Sequence, residues 1–127
     1  MNYVFVYGSL KVGFHNNVVL KKSEKISDFV TSEKYDMFSL GNFPAMSSTN
    51  KNYHIAGELY AVDDETLSNL DILEGEGHFY KKKKIFLKGV DFPVWAYFII
   101  DKEIIERWVN NRKGVHQVGE TLIWLGK

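Results

Sequence analysis

The sequence predicts an α+β fold, and three observations carry that prediction. Strand-like runs of β-branched and aromatic residues dominate, beginning with Tyr3-Val4-Phe5-Val6-Tyr7. Two segments instead carry helical signatures, the clearer one with leucines at 67, 70 and 73. The elements then read β, short α, several β, α, β, β, α, an order that fits helices set beside a sheet.

Each element has its own reason. Tyr3 to Tyr7 is continuously apolar or aromatic and ends at Gly8, which predicts a strand buried on both faces. Gly8 to Gly13 reads as a loop, and Asn16 or Asn17 is placed to cap a short helix through Val18, Val19 and Leu20. Residues 26–40 scatter apolar side chains between polar ones, predicting one or two strands. Gly41-Asn42-Phe43-Pro44 is turn chemistry. Tyr53 to Val62 predicts a strand, with Gly57 a candidate bulge.

The helix from Asp63 to Glu74 is marked at both ends. Asp63 can cap it, Asp64 and Glu65 sit where the dipole favours negative charge, and Gly75 suits the residue after the last turn. Val62 can staple onto Leu67, while Leu67, Leu70 and Leu73 mark the expected buried face. Strands follow over roughly 79–87 and 92–100, joined through Lys88-Gly89-Val90-Asp91. A last helix spans about 101–111, with Ile104, Ile105, Trp108 and Val109 on one face. There is no repeat or linker, so the 127 residues predict one domain over 1–127.

Composition narrows the function. Sixteen basic and sixteen acidic residues give a formal net charge of zero, which argues against a duplex nucleic acid or an anionic membrane as partner. The absence of cysteine excludes disulfides, thiolate metal sites and a cysteine nucleophile. The start lacks a basic segment followed by an apolar one, and the longest apolar run, Val94 to Ile100, is too short for a membrane helix. A soluble, cytoplasmic protein is expected.

Several standard sites fail on inspection. Phe14 and His15 stand where a phosphate-binding loop needs Lys and Ser or Thr, and Tyr80 stands at the third glycine of a dinucleotide fingerprint opened by Gly75 and Gly77. There is no Gly-x-Ser-x-Gly elbow, and the four histidines show no metal-ligand spacing. No metal and no cofactor are expected. Lys81 to Lys84 beside Phe79, Tyr80 and Phe86 suit single-stranded nucleic acid, but only alternate lysines of a strand share a face and lysines on an edge strand guard against aggregation, which is the stronger reading, so no nucleic-acid partner is expected.

Two features carry chemistry. Tyr7-Gly8-Ser9-Leu10 is a buried strand opening into a glycine turn, where successive backbone N–H groups can bind a carboxylate or an oxyanion. It also reads as a plain strand–turn junction. Glu74 stands at the negative end of a helix dipole with Asp71 and Glu76 nearby, all of which would raise its proton affinity toward that of a general base. It also reads as an exposed glutamate of no consequence.

Together, Val4 to Asn16, Phe43-Pro44-Ala45-Met46, Gly57 to Asp63, Leu70-Asp71-Ile72-Leu73-Glu74-Gly75, Tyr80 and Pro93 to Phe98 resemble the γ-glutamylcyclotransferase-like family, nearest its γ-glutamylamine (AIG2-like) branch. The resemblance spans about residues 3–100. It implies a small mixed β-barrel with flanking helices and a catalytic acid/base at Glu74. It also implies substrate binding by Tyr7, Gly8, Ser9 and Leu10, with Tyr80 at the pocket. Lys82 departs from an arginine common two residues after that tyrosine, and Gly77-His78 falls in a variable loop. The implied reaction is cofactor-free cyclisation of a small γ-glutamyl substrate to 5-oxoproline. A non-catalytic small-molecule binding domain on the same fold is the alternative. Base and oxyanion donors must converge on one small ring, so the pocket is expected between the Tyr7–Leu10 loop and the end of the 63–74 helix, with Glu74 facing the loop.

Overall fold

The computed structural model describes residues 1–127. Its first strand, β1 (Asn2–Val6), occupies an interior place in a seven-stranded sheet. Beside it lie β5 (His54–Val62), antiparallel, and β7 (Val94–Ile99), parallel. The continuous apolar run at the start of the chain has the burial expected of it: Val4, Phe5, Val6 and Tyr7 are all buried. Alternation divides these residues between two cores. Val4 and Val6 pack with Tyr60, Val62, Leu70 and Tyr97 on one face, while Phe5 and Tyr7 pack with Met37, Met46, Leu59 and Phe98 on the other.

The remaining elements extend or cover this sheet. Two further strands, β2 (Glu24–Val30) and β6 (Tyr80–Ile85), pair with β5 and β7 respectively. A separate hairpin comprises β3 (Asp36–Ser39) and β4 (Pro44–Ser47). The helices are α1 (Asp64–Glu74) and α2 (Lys102–Trp108), and the chain closes with β8 (Val115–Val118) and β9 (Thr121–Trp124). The hydrogen-bonded order is β6-β7-β1-β5-β9-β8, with β2 on β5, so the sheet is mixed and the class is α+β. The path runs from β6 to β8; closure into a barrel is not among the pairings. No helix is long and apolar enough to cross a membrane.

Several expectations need correction. The short helix is 3₁₀, spans His15–Leu20 and has Phe14 at its N-cap position, so neither Asn16 nor Asn17 caps it. Asn16 Nδ2 instead donates to Ser9 Oγ (2.9 Å), and Asn17 Nδ2 to Leu10 O (2.8 Å). Pro44 begins a strand rather than ending a turn, since β3 pairs its Ser39 with Pro44. The register irregularity lies between Lys25 and Ser27 of β2, not at Gly57. Gly57 is glycine for another reason: a Cβ there would collide with the Val6 carbonyl and sit 2.7 Å from the Phe5 ring. On α1, Leu70 is fully buried but Leu73 is 44% exposed, so the buried face does not continue through Leu73.

Residues 112–127, for which the sequence offered no reading, supply the two strands β8 and β9. Their apolar anchor is Trp124, 1% exposed, and the buried Lys11 Nζ donates to its carbonyl at 2.7 Å. Arg112 pairs with the buried Asp36 at 2.7 Å and ties this segment to β3.

Gly57→Ala therefore tests a steric demand rather than a backbone-dihedral one. It should destabilise by about 2–4 kcal/mol, because the obstructing atoms are backbone and a packed ring. Gly89→Ala, at φ +85° with open space around it, should cost only about 1 kcal/mol. Urea unfolding of both variants checks the contrast; equal losses would mean that the strand approach at Gly57 is not tight.

Candidate active site

The site begins where β1 stops. Tyr7 leaves the strand with its ring in the core, and its hydroxyl makes two bonds there. It donates to Tyr97 O on β7 (2.8 Å) and accepts from Met46 N on β4 (3.1 Å). One side chain thus fixes the sheet, the β3–β4 hairpin and the start of the following loop relative to one another.

That loop is held by its carbonyls. Gly8 O accepts from Lys11 N (3.0 Å), Ser9 O from Asn16 N (3.1 Å), and Leu10 O from Asn17 Nδ2 (2.8 Å). The N–H groups of Gly8, Ser9 and Leu10 donate to no acceptor in the protein. Gly8 and Leu10 are buried, where an unpaired N–H is costly, so these donors suit an acceptor brought by a ligand. Gly8 does not have the positive φ that a glycine turn implies. Its hydrogen makes room for Pro44 instead: a Cβ would lie 2.6 Å from Pro44 Cγ.

Glu74 arrives from α1. Asp63 caps that helix by accepting from Thr66 N (2.7 Å). Leu67, Leu70 and Glu74 follow at i, i+3 and i+7, so the glutamate continues the packed face that Leu73 leaves. The helix then ends in a Schellman arrangement, with Gly75 N–H to Ile72 O (3.1 Å) and Glu76 N–H to Asp71 O (3.0 Å) around a left-handed Gly75. Glu74 is the last helical residue, and the cap fixes the direction in which it leaves.

These parts converge. A cleft of about 370 Å³, counting space open to solvent, is lined by Tyr7, Gly8, Ser9 and Leu10 of the loop together with Glu74 of α1, Tyr80 of β6 and Tyr97 of β7. Every residue singled out in the sequence lines it. Tyr97, Phe43 and Pro44 line it too and were not singled out. Tyr97 lies in a run that reads only as buried strand. Phe43-Pro44 had a signal, the proline segment within the family resemblance, without an assigned role.

The electrostatics differ from the sequence expectation in cause. Burial alone pushes the Glu74 carboxyl up to about 7. Asp71 is engaged elsewhere: Tyr97 donates to it at 2.5 Å and Lys82 pairs with it at 3.0 Å. Lys82, where an arginine was expected, thus acts on Asp71 and also lies 4.8 Å from the Trp95 ring centroid. Burial raises the hydroxyls of Tyr7 and Tyr80, with Glu74 adding to both, and burial followed by the Asp71 hydrogen bond raises Tyr97. All three remain neutral donors. No group of three or more His, Asp or Glu side chains is placed to hold a metal ion.

The fold agrees with comparisons to known proteins. The family model for gamma-glutamyl cyclotransferase, AIG2-like, matches residues 4–117. The chain belongs to that family. It is 42% identical over 102 residues to a Methanocaldococcus jannaschii protein named "Putative gamma-glutamylcyclotransferase", covering 77% of this chain and 84% of that one. It is 34% identical over 82 residues to the Escherichia coli K12 "Gamma-glutamylcyclotransferase family protein YtfP", covering 65% and 70%. The crystal structure of an AIG2-like protein from Mus musculus shares the fold with a TM-score of 0.70 at 23% identity, covering 83% of this chain and 82% of that one.

The raised Glu74 carboxyl has a consequence for stability. Folding moves it from 4.5 to about 7, so the native state holds the proton more tightly. Its contribution is intact below about 4.5 and becomes a cost as pH rises through 7. Glu74→Gln removes that cost. At pH 8 it should be more stable than wild type by about 1–3 kcal/mol, and the gain should vanish near pH 4.5. Denaturant melts at the two pH values check this; a gain independent of pH would contradict the assigned proton affinity.

Proposed function

We propose that the protein is a γ-glutamyl cyclotransferase, converting a γ-glutamyl amine or peptide to 5-oxoproline and the free amine, with Glu74 as general base and then general acid. The observation that carries this is the desolvated Glu74 across one small cleft from three N–H groups that have no partner in the protein.

The chemistry follows from the substrate. Its α-ammonium loses a proton to the Glu74 carboxylate, and the freed amine nitrogen attacks its own γ-carbonyl carbon. A five-membered ring and a tetrahedral oxyanion form. The loop N–H groups of Gly8, Ser9 and Leu10 are the donors for that oxyanion, and the neutral tyrosine hydroxyls around it cannot repel it by ionising. Protonated Glu74 gives its proton to the leaving nitrogen as the amide C–N bond breaks, then takes the second proton from the ring nitrogen, which becomes the lactam N–H, and passes it to the departing amine, which leaves as its ammonium. Atoms and charge balance without water, metal or cofactor. Both reactants sit in one molecule, so holding the folded conformer supplies much of the acceleration.

A carboxyl near 7 suits both halves of this cycle, because acid and base forms coexist at neutral pH. A binding-only domain would gain nothing from keeping an uncompensated carboxylate in the cleft.

Glu74→Gln should lower kcat about 10²–10⁴-fold with the fold retained, as loss of a general base commonly does. Mass detection of 5-oxoproline from a panel of γ-glutamyl amines measures it. Near-normal turnover by the variant would remove Glu74 from the mechanism. In the wild type, log kcat/KM should rise with slope one toward a bend near 7, where the base becomes deprotonated.

A further inference from the structure

Beyond the cleft lies a second, larger cavity of about 1,220 Å³, again counting space open to solvent. It is not separate from the site. Ser9, Phe43, Glu74 and Tyr80 line both. The inner cleft holds the loop donors, so the atoms that cyclise must lie there. Glu74 has to reach the leaving nitrogen as well as the α-amine, so whatever that nitrogen carries extends past Glu74 into the outer cavity.

The outer cavity has a definite chemistry. Its inner wall is formed by Leu40, Ile99 and Ile104, and its rim by Ile72, Leu73 and Phe79. The rim residues are exposed, at 79%, 44% and 54% respectively, an unusual cluster for side chains next to a polar site. Its polar end, Ser9, His15 and Asn16, adjoins the loop. Apart from Glu74, no Asp, Glu, Lys or Arg lines it. A leaving group bearing a carboxylate would find no countercharge, one bearing an ammonium would find only Glu74, which is engaged with the transferring proton, and either would lose hydration against aliphatic walls.

We infer that this groove is the leaving-group subsite and that it selects uncharged apolar amines, aryl or alkyl, over charged amines such as an amino-acid side chain or a dipeptide. The inference rests on the cyclotransferase reading above. Selectivity resides in Ile72, Leu73 and Phe79, residues of the α1 terminus and the turn after it, and not in the inner cleft.

The test compares γ-glutamyl benzylamide with ε-(γ-glutamyl)lysine. Calorimetric binding to Glu74→Gln and 5-oxoproline release by wild type are read separately. The benzylamide should bind roughly tenfold or more tightly and show a kcat/KM advantage of similar size, the scale that apolar subsites confer. Ile72→Asp, made in each background, should remove most of that advantage while changing the lysine substrate by about twofold at most. Equal binding of the two compounds, or a preference for the lysine compound, overturns the subsite. So does an Ile72→Asp variant that dissociates a dimer in sedimentation while leaving the preference intact, because the groove is then an interface between copies. If wild type releases no 5-oxoproline but the binding preference and its loss in Ile72→Asp persist, the cyclotransferase reading falls and the apolar subsite stands. Turnover without any preference between the two compounds overturns the subsite and leaves the cyclotransferase reading in place.

Discussion

The constraint on which this molecule depends is that β1 is walled in on both faces. A strand with Val4 and Val6 facing one core and Phe5 and Tyr7 facing the other has no solvent side, so its ends are the only places where it can meet a ligand. The C-terminal end is where Tyr7 bonds to β7 and β4 at once. Losing that hydroxyl would leave a buried carbonyl and a buried N–H unpaired together. The loop that follows inherits the rigidity of the core, and its own carbonyls are tied to Lys11, Asn16 and Asn17. The N–H groups left without a protein acceptor belong to Gly8, Ser9 and Leu10, which line the cleft.

Two carboxylates one turn apart on α1 show how environment decides chemistry. Asp71 accepts from Tyr97 and pairs with Lys82. Glu74 has neither partner, and desolvation raises it to about 7. Lys82 thereby has a partner that charge counting along the chain does not suggest, the Asp71 carboxylate. Three of the four lysines of β6, at the end of the sheet order, are engaged with the protein's own rings, with Lys82 and Lys84 over Trp95 and Lys83 over Phe98.

Much of this was legible in the chain because it depends on local rules. A run of five β-branched and aromatic residues forces a two-sided burial; Asp63 and Gly75 delimit α1 within a residue; Glu74 sits in phase with Leu67 and Leu70. What escaped depends on contacts distant in sequence. Gly8 and Gly57 read as turn and bulge glycines, yet each is small because of a neighbour far along the chain, Pro44 in one case and Phe5 in the other. β8 and β9 are four residues each and have little periodicity to detect; they exist because β5 offers His54 and Ile55 for pairing and because Trp124 fills the core. Tyr97 gave no local sign of lining a site, since a strand buried on both faces reads alike at every position.

Everything proposed for the cleft turns on Glu74 being a partly neutral, desolvated carboxyl at neutral pH. Its most direct measurement is a carbon-13 NMR titration of the glutamate side-chain carboxyls, with the Glu74 resonance assigned by its absence in Glu74→Gln. A midpoint near 7 is predicted for that resonance. A midpoint in the ordinary range near 4.5 would contradict it, since Glu74 would then be a hydrated surface carboxylate with no preparation for moving a proton.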